Sequence, residues 1–210
     1  MTNALEVVDL TRSFGGVRAC DKVSFTVPDG GLTAVIGPNG AGKTTVFNLV
    51  TNLYAADSGD VRFYGTSILD RLPAEIAAMG LVRTFQSARI YPGMTALENV
   101  LAGAHLHIRA GAWRQMLWLA GARREEAQLA AKALTLLELA NLARFRHAAA
   151  TDLPMGAQKQ LEVVRALMAE PRLLLLDEPA AGLNDSETAD LAELLRAVRD
   201  AGITVMVVEH

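Results

Sequence analysis

The sequence predicts an α/β fold: a parallel sheet core, an antiparallel β segment ahead of it, and an α-helical lobe inserted into its middle. Three observations predict this. Leu32–Ile36, Leu173–Leu176 and Ile203–Val208 are short, nearly continuous apolar runs, the pattern of strands buried on both faces of a helix-covered parallel sheet. Leu5–Leu10 and Val23–Val27 alternate or half-alternate around Phe14-Gly15-Gly16, which reads as a hairpin or meander. From about Met94 to Ala149 the chain is rich in Ala and Leu with scattered Arg and Glu, a composition of good helix formers.

In chain order, the early hairpin is followed by the strand Leu32–Ile36, which ends at Gly37, and by a helical segment Thr44–Asn52. Within the Ala/Leu-rich stretch, Glu125–Leu142 has the period of a helix. Asn184-Asp185-Ser186 introduces a further helix, Glu187–Arg199, which Gly202 ends. The last apolar run stops at His210, with no covering helix after it, so a truncated C-terminus is expected. The expected division is core 1–88, inserted helical lobe 89–165 and returning core 166–210. No internal repeat or low-complexity linker interrupts it.

At 210 residues, 51% hydrophobic and 20% charged, the chain can bury a sizeable core and is not of the disordered class. The net charge of −3 lacks the basic excess of a duplex-binding protein, so no nucleic-acid partner is expected. The single cysteine, Cys20, excludes an intramolecular disulfide and suits a reducing compartment. Met1–Val8 shows no basic segment followed by a long apolar one, so no secretory signal is expected. No apolar run approaches the roughly 18 to 20 residues that span a bilayer.

Gly37-Pro38-Asn39-Gly40-Ala41-Gly42-Lys43-Thr44 fits GxxxxGK[ST], between a buried-type strand and a helix as the mechanism requires. Glycines let the backbone curl so that successive N–H groups point at one anion, and the helix N-terminus adds partial positive charge. Lys43 reaches β- and γ-phosphates, the Thr44 hydroxyl suits Mg²⁺, and Thr45 adds a hydroxyl near the α-phosphate. The ligand class is a nucleoside triphosphate, and the fold narrows to a P-loop NTPase (RecA-like) core. A glycine-rich turn with an exposed lysine would not need all four motif positions in a strand–loop–helix setting.

Leu173–Leu176 runs into Asp177-Glu178, placing two carboxylates at the carboxyl edge of the sheet, where open α/β sheets bind ligands. Asp177 suits Mg²⁺, held through water because that ion dehydrates reluctantly. Glu178, expected on the other side by the strand's period of two, suits the general base that polarises the attacking water.

GPNGAGKTT (Gly37–Thr45), LLLLDEPAAGLN (Leu173–Asn184) and VVEH (Val207–His210) occur in this order and resemble the ATP-binding subunits of ABC transporters. The resemblance covers essentially the whole chain. Thr44–Asn48, Arg83-Thr84-Phe85-Gln86, Glu178–Asn184 and the long insert with Trp113 and Trp118 resemble most the branch serving branched-chain amino acid importers. The resemblance implies that Phe14 stacks on adenine, although a place in the core of the early sheet is the alternative for that residue. It implies that Gln86 touches Mg²⁺ or the attacking water, that His210 orients the water with Glu178, and that Ala181–Asn184 crosses a dimer interface. The family's LSGGQ signature aligns with Leu153-Pro154-Met155-Gly156-Ala157. Its serine is replaced by Pro154 and its glutamine by Ala157, leaving Gly156 and the helix dipole to face the γ-phosphate of a partner's ATP. A lost hydrogen bond to a charged group costs about 1.5 to 3 kcal/mol, which favours a heterodimer with a better signature on the partner over a homodimer.

The resemblance implies ATP and Mg²⁺ as cofactors, ATP hydrolysis coupled to transport, and a cytoplasmic location on the inner face of the bacterial plasma membrane. The implied partners are transmembrane permease subunits, a second ATP-binding subunit and, indirectly, a periplasmic or extracellular substrate-binding protein. The alternatives are the ATPase of a lipid or lipopolysaccharide exporter, a non-hydrolytic regulatory subunit and a non-transport ABC ATPase. The last two are disfavoured by the intact motifs, and by the single cassette with its acidic balance.

Overall fold

The computed structural model describes residues 2–84, 90–106 and 120–209, with backbone alone at 105–106 and 120–123. By contacts, they form two compact units: 1–86, 171–181 and 195–210 make the first, and 87–170 and 182–194 the second.

In the first unit, β1 (Asn3–Phe14) pairs antiparallel with β2 (Val17–Pro28) in a hairpin closed by Gly15-Gly16, as the alternation predicts. With β4 (Ser58–Phe63) and β5 (Thr66–Ser67) they form an antiparallel sheet in the order β2-β1-β4-β5. The second sheet contains β3 (Leu32–Ile36), β6 (Leu81–Arg83), β7 (Leu173–Asp177) and β8 (Thr204–Glu209) in the order β3-β8-β7-β6, all parallel.

All five β7 residues are buried, as are the first five of β8. The expectation of burial on both faces fails for β3, where Leu32 is 42% and Ile36 71% exposed. β3 is an end strand of the described sheet, so one of its faces carries less cover than those of the central strands. Helix α1 (Lys43–Val50) contributes Val46, Phe47, Leu49 and Val50 to one apolar cluster. That cluster also holds Leu5, Val7, Val61 and Phe63 of the antiparallel sheet and Leu173, Leu175, Met206 and Val208 of the parallel one. Burying these side chains, at about 1.5 to 3 kcal/mol each, fixes the loop at the head of α1 against both sheets. Helix α2 (Pro73–Ala78) adds Ile76 to the same cluster.

The described part of the second unit is helical: α3 (Ala96–Ala102), α4 (Ala120–Leu139) and α5 (Met155–Leu167), with short 3-10 turns at Gly103–Leu106, Ala143–Phe145 and Ala150–Asp152. The helix expected over Glu125–Leu142 ends earlier because Asn141 takes φ 56° and Leu142 N–H reaches back to Leu137 O at 2.8 Å, a left-handed C-terminal cap. Helix α6 (Asp185–Asp200) starts two residues before the expected Glu187, because Asn184 is its cap. Its residues up to 194 cluster with the second unit and the rest with the first. Among the described residues no helix is long and apolar enough to cross a membrane.

Candidate functional site: a nucleotide cradle at a sheet edge

The loop 37–42 joins β3 to α1, with Pro38, Asn39, Gly40 and Ala41 exposed. It is curled by an Ala41 N–H to Pro38 O hydrogen bond of 3.2 Å and leads into α1 through Val46 N–H to Gly42 O at 2.9 Å. Gly42 is required twice over. Its φ is +85°, and a Cβ there would lie 2.5 Å from the Ala19 carbonyl oxygen on β2. No side chain caps α1, so amides of its first turn, which holds Thr44 and Thr45, remain for an anion. Lys43, only 8% exposed, folds back over the loop, donating to the Gly37 and Pro38 carbonyls at 2.5 and 3.0 Å. Its ammonium thus sits inside the curl of backbone that a phosphate would enter.

Register puts the acids beside this loop. Asp177 pairs with Val208, and Val208 with Val35, so Asp177 is level with the residue two before Gly37. One strand separates them, about 10 Å at the usual strand spacing. Asp177 is 1% exposed, and its Oδ2 accepts from Arg83 Nη2 at 2.7 Å. The other arm of Arg83 reaches Asn48 Oδ1 on α1 at 2.6 Å, and its guanidinium stands 5.4 Å from the Phe47 ring centre. This ties the acidic strand to the phosphate-loop helix. Asp177 Oδ1 is buried with no hydrogen-bond partner, which fits the donor a magnesium ion or its water would use. Among the described residues no cluster of three or more His, Cys, Asp or Glu could hold a metal.

Glu178 corrects one expectation. The strand ends at Asp177, and Glu178 has φ 49°, so its direction comes from a left-handed turn, not from strand alternation. Its N–H donates to Val208 O at 3.0 Å and its carbonyl accepts from Ala181 N–H at 3.1 Å. Such strain in a non-glycine residue persists where surroundings over-determine it, and functional sites are where it clusters. Glu209, at the end of β8, accepts from Ala180 N–H at 3.0 Å.

Phe14 is 41% exposed at the tip of the hairpin, so it is not a core residue of the early sheet. It meets Tyr54 edge-on at 5.5 Å, and the Arg12 guanidinium stands 4.9 Å from its ring centre. In the second unit, Gly156 is buried in the first turn of α5, whose N-cap is Pro154. Gln86 and His210, like Phe85, Trp113 and Trp118, lie outside the described residues. Sequence reasoning gave no role to Arg83, Asn48, Tyr54 or Glu187. Glu187 alone had a local signal, the Asn-x-x-Glu spacing that opens α6.

The ABC transporter family profile matches residues 20–181. BraF of Pseudomonas aeruginosa, a high-affinity branched-chain amino acid transport ATP-binding protein, is 42% identical over 98% of this chain and 81% of its own length. LivG of Escherichia coli K12, with the same description, is 38% identical over the same shares. A crystal structure of the ADP conformation of an ABC transporter cassette superposes with TM-score 0.86 at 33% identity, covering 100% of this chain and 82% of its own. A dimeric cassette in a post-hydrolysis state with ADP and Pi superposes with TM-score 0.80 at 26% identity, covering 98% and 88%. A family profile matching residues 20–181, with relatives and a fold that agree over nearly the full length, establishes that the chain belongs to the ABC transporter family.

Proposed function

We infer that this chain is the ATP-binding and ATP-hydrolysing subunit of an importer for branched-chain or related amino acids, acting on separate transmembrane permease subunits. The observation that carries the chemistry is one sheet edge holding both the curled loop over Lys43 and the buried Asp177-Glu178 pair. The cargo rests on the relatives' descriptions, which do not favour the exporter alternative.

In this reading the loop amides and Lys43 hold the β- and γ-phosphates, and Phe14 stacks on adenine beside Tyr54. Thr44, Asp177 and Gln86 hold Mg²⁺, which supplies neutralisation of phosphate charge when bound. Glu178 takes a proton from the attacking water, which His210 helps to orient. Gly156, at the head of α5, faces the γ-phosphate of a partner's ATP across a dimer. Nucleotide shifts the pair towards closure because the γ-phosphate bridges both subunits, and cleavage removes that bridge. The helical lobe 89–165 passes the motion to permeases on the inner face of the plasma membrane, fed by a substrate-binding protein. Pro154 and Ala157 favour a heterodimer; a fully active, nucleotide-closed homodimer of this chain alone would argue against it.

The test is Glu178→Gln. ATP binding should persist while turnover falls by at least about 10²-fold. Turnover near the wild-type rate removes Glu178 as the base.

A further inference from the structure

The heads of α5 and α6 are joined by one side chain that the roles above leave unused. Asn184 Oδ1 accepts the Glu187 N–H at 3.0 Å, and Glu187 Oε2 accepts the Asn184 N–H at 3.1 Å, a reciprocal capping box. Such a box uses one carboxylate oxygen. Here the other, Oε1, accepts the Gly156 N–H at 3.2 Å. α5 has no side-chain cap of its own, because Pro154 stands at its N-cap. The Glu187 carboxylate supplies the negative charge that a helix N-terminus favours.

The join leaves no slack. A Cβ on Gly156 would lie 2.8 Å from both Cγ and Oε1 of Glu187. A second contact runs alongside: a Cβ on Gly182, in the loop before α6, would lie 3.2 Å from Met155 Sδ. The segment 182–184 is therefore linked to the head of α5 twice, directly at Gly182 and through Glu187 at Asn184.

We propose that Glu187 is a positioning residue for the composite nucleotide site. Its carboxylate ties the segment Gly182–Asn184 to Gly156, so that both meet the partner subunit's ATP as one piece. This rests on the reading above, in which the chain closes on nucleotide against a second ATP-binding subunit. The chemistry requires a carboxylate. Two N–H donors need two acceptors, and glutamine offers one acceptor and turns an NH₂ towards the other donor.

The experiment measures the ATP concentration that drives closure, by sedimentation of the chain with its co-purified partner in the hydrolysis-blocked Glu178→Gln background. Glu187→Gln, Glu187→Ala and Gly156→Ala should each raise that concentration at least about tenfold. The double variant Gly156→Ala/Glu187→Ala should be no worse than the worse single, since removing the carboxylate vacates the space the new Cβ needs. Nucleotide affinity of the separate chains reports that the fold is intact. If Glu187 only caps α6, Asn184→Ala and Glu187→Gln will lower the melting temperature alike and leave the ATP requirement unmoved. That result, or additive single effects, overturns the proposal. Failure of the Glu178→Gln background itself to bind ATP or close would instead bring down the functional reading, and this inference with it.

Discussion

Gly42 and Arg83 divide the site between what a sequence can say and what only register can. A glycine before the motif lysine is legible, because the loop needs a left-handed turn. That the same atom must clear the Ala19 carbonyl of β2 is not legible, since it depends on how the hairpin approaches the loop. Gly42→Ala should therefore cost more than backbone strain alone, at least about 1 to 3 kcal/mol, and weaken nucleotide binding. Denaturant midpoints and a nucleotide titration check it, and a wild-type midpoint would show that β2 yields. Arg83 looks like any surface cation in the sequence; its pairing beside β7 brings it to Asp177, in a bridge whose side chains are 7% and 1% exposed. Breaking a buried pair from one side leaves an uncompensated charge, at about 3 to 5 kcal/mol. Arg83→Met should be destabilised by that order, and Asp177→Asn in the same chain should recover part of it. A single variant within about 0.5 kcal/mol of wild type would mean water already screens the pair.

Helices and strands were legible where a local pattern and the tertiary environment agree. β7 is four leucines ending in Asp177 and is buried throughout; α1 follows its motif; the hairpin closes on its glycines. The misses have local physical causes. β3 reads as a central strand because its composition is apolar, but composition does not report neighbours, and an end strand has one. α4 ends early because Asn141 adopts a left-handed cap inside an unbroken helical pattern. α6 begins early because Asn184 accepts the Glu187 N–H, and that cap defines the first turn. Asn184→Ala should thus cost about 1 kcal/mol of stability, read as a shifted denaturant midpoint with an unchanged slope. A change of slope would mean the helix start reorganises.

At the scale of the whole first unit, the two sheets are pinned together by a polar joint that no motif announces. The Tyr64 hydroxyl, just after β4, donates to Asp29 Oδ1, as does Thr204 Oγ1 at the start of β8, at 3.1 Å. Gly30 N–H donates to that Thr204 oxygen at 2.9 Å, and Arg172 stands 3.4 Å from the Tyr64 ring centre. The Tyr64 hydrogen bond, with help from Thr204, the Gly30 amide and Arg172, holds the Asp29 carboxyl below its ordinary range. Burial, then the bond to Asp29, pushes the Tyr64 hydroxyl above its own. The signs follow by linkage. A depressed carboxyl contributes stability above its unfolded value, near pH 4, and loses it as pH falls through the folded value. A raised phenol contributes below about pH 10 and loses it as pH rises through its folded value. Asp29→Asn should therefore be less stable than wild type at neutral pH, and the gap should close as pH drops below about 4. Tyr64→Phe should leave stability flatter than wild type above about pH 10. Melting temperatures of the three proteins from pH 3 to 11 decide it. A gap between wild type and Asp29→Asn that stays constant down to pH 3 would mean that the joint is neutral packing, and that the carboxylate charge does not help to hold the sheets.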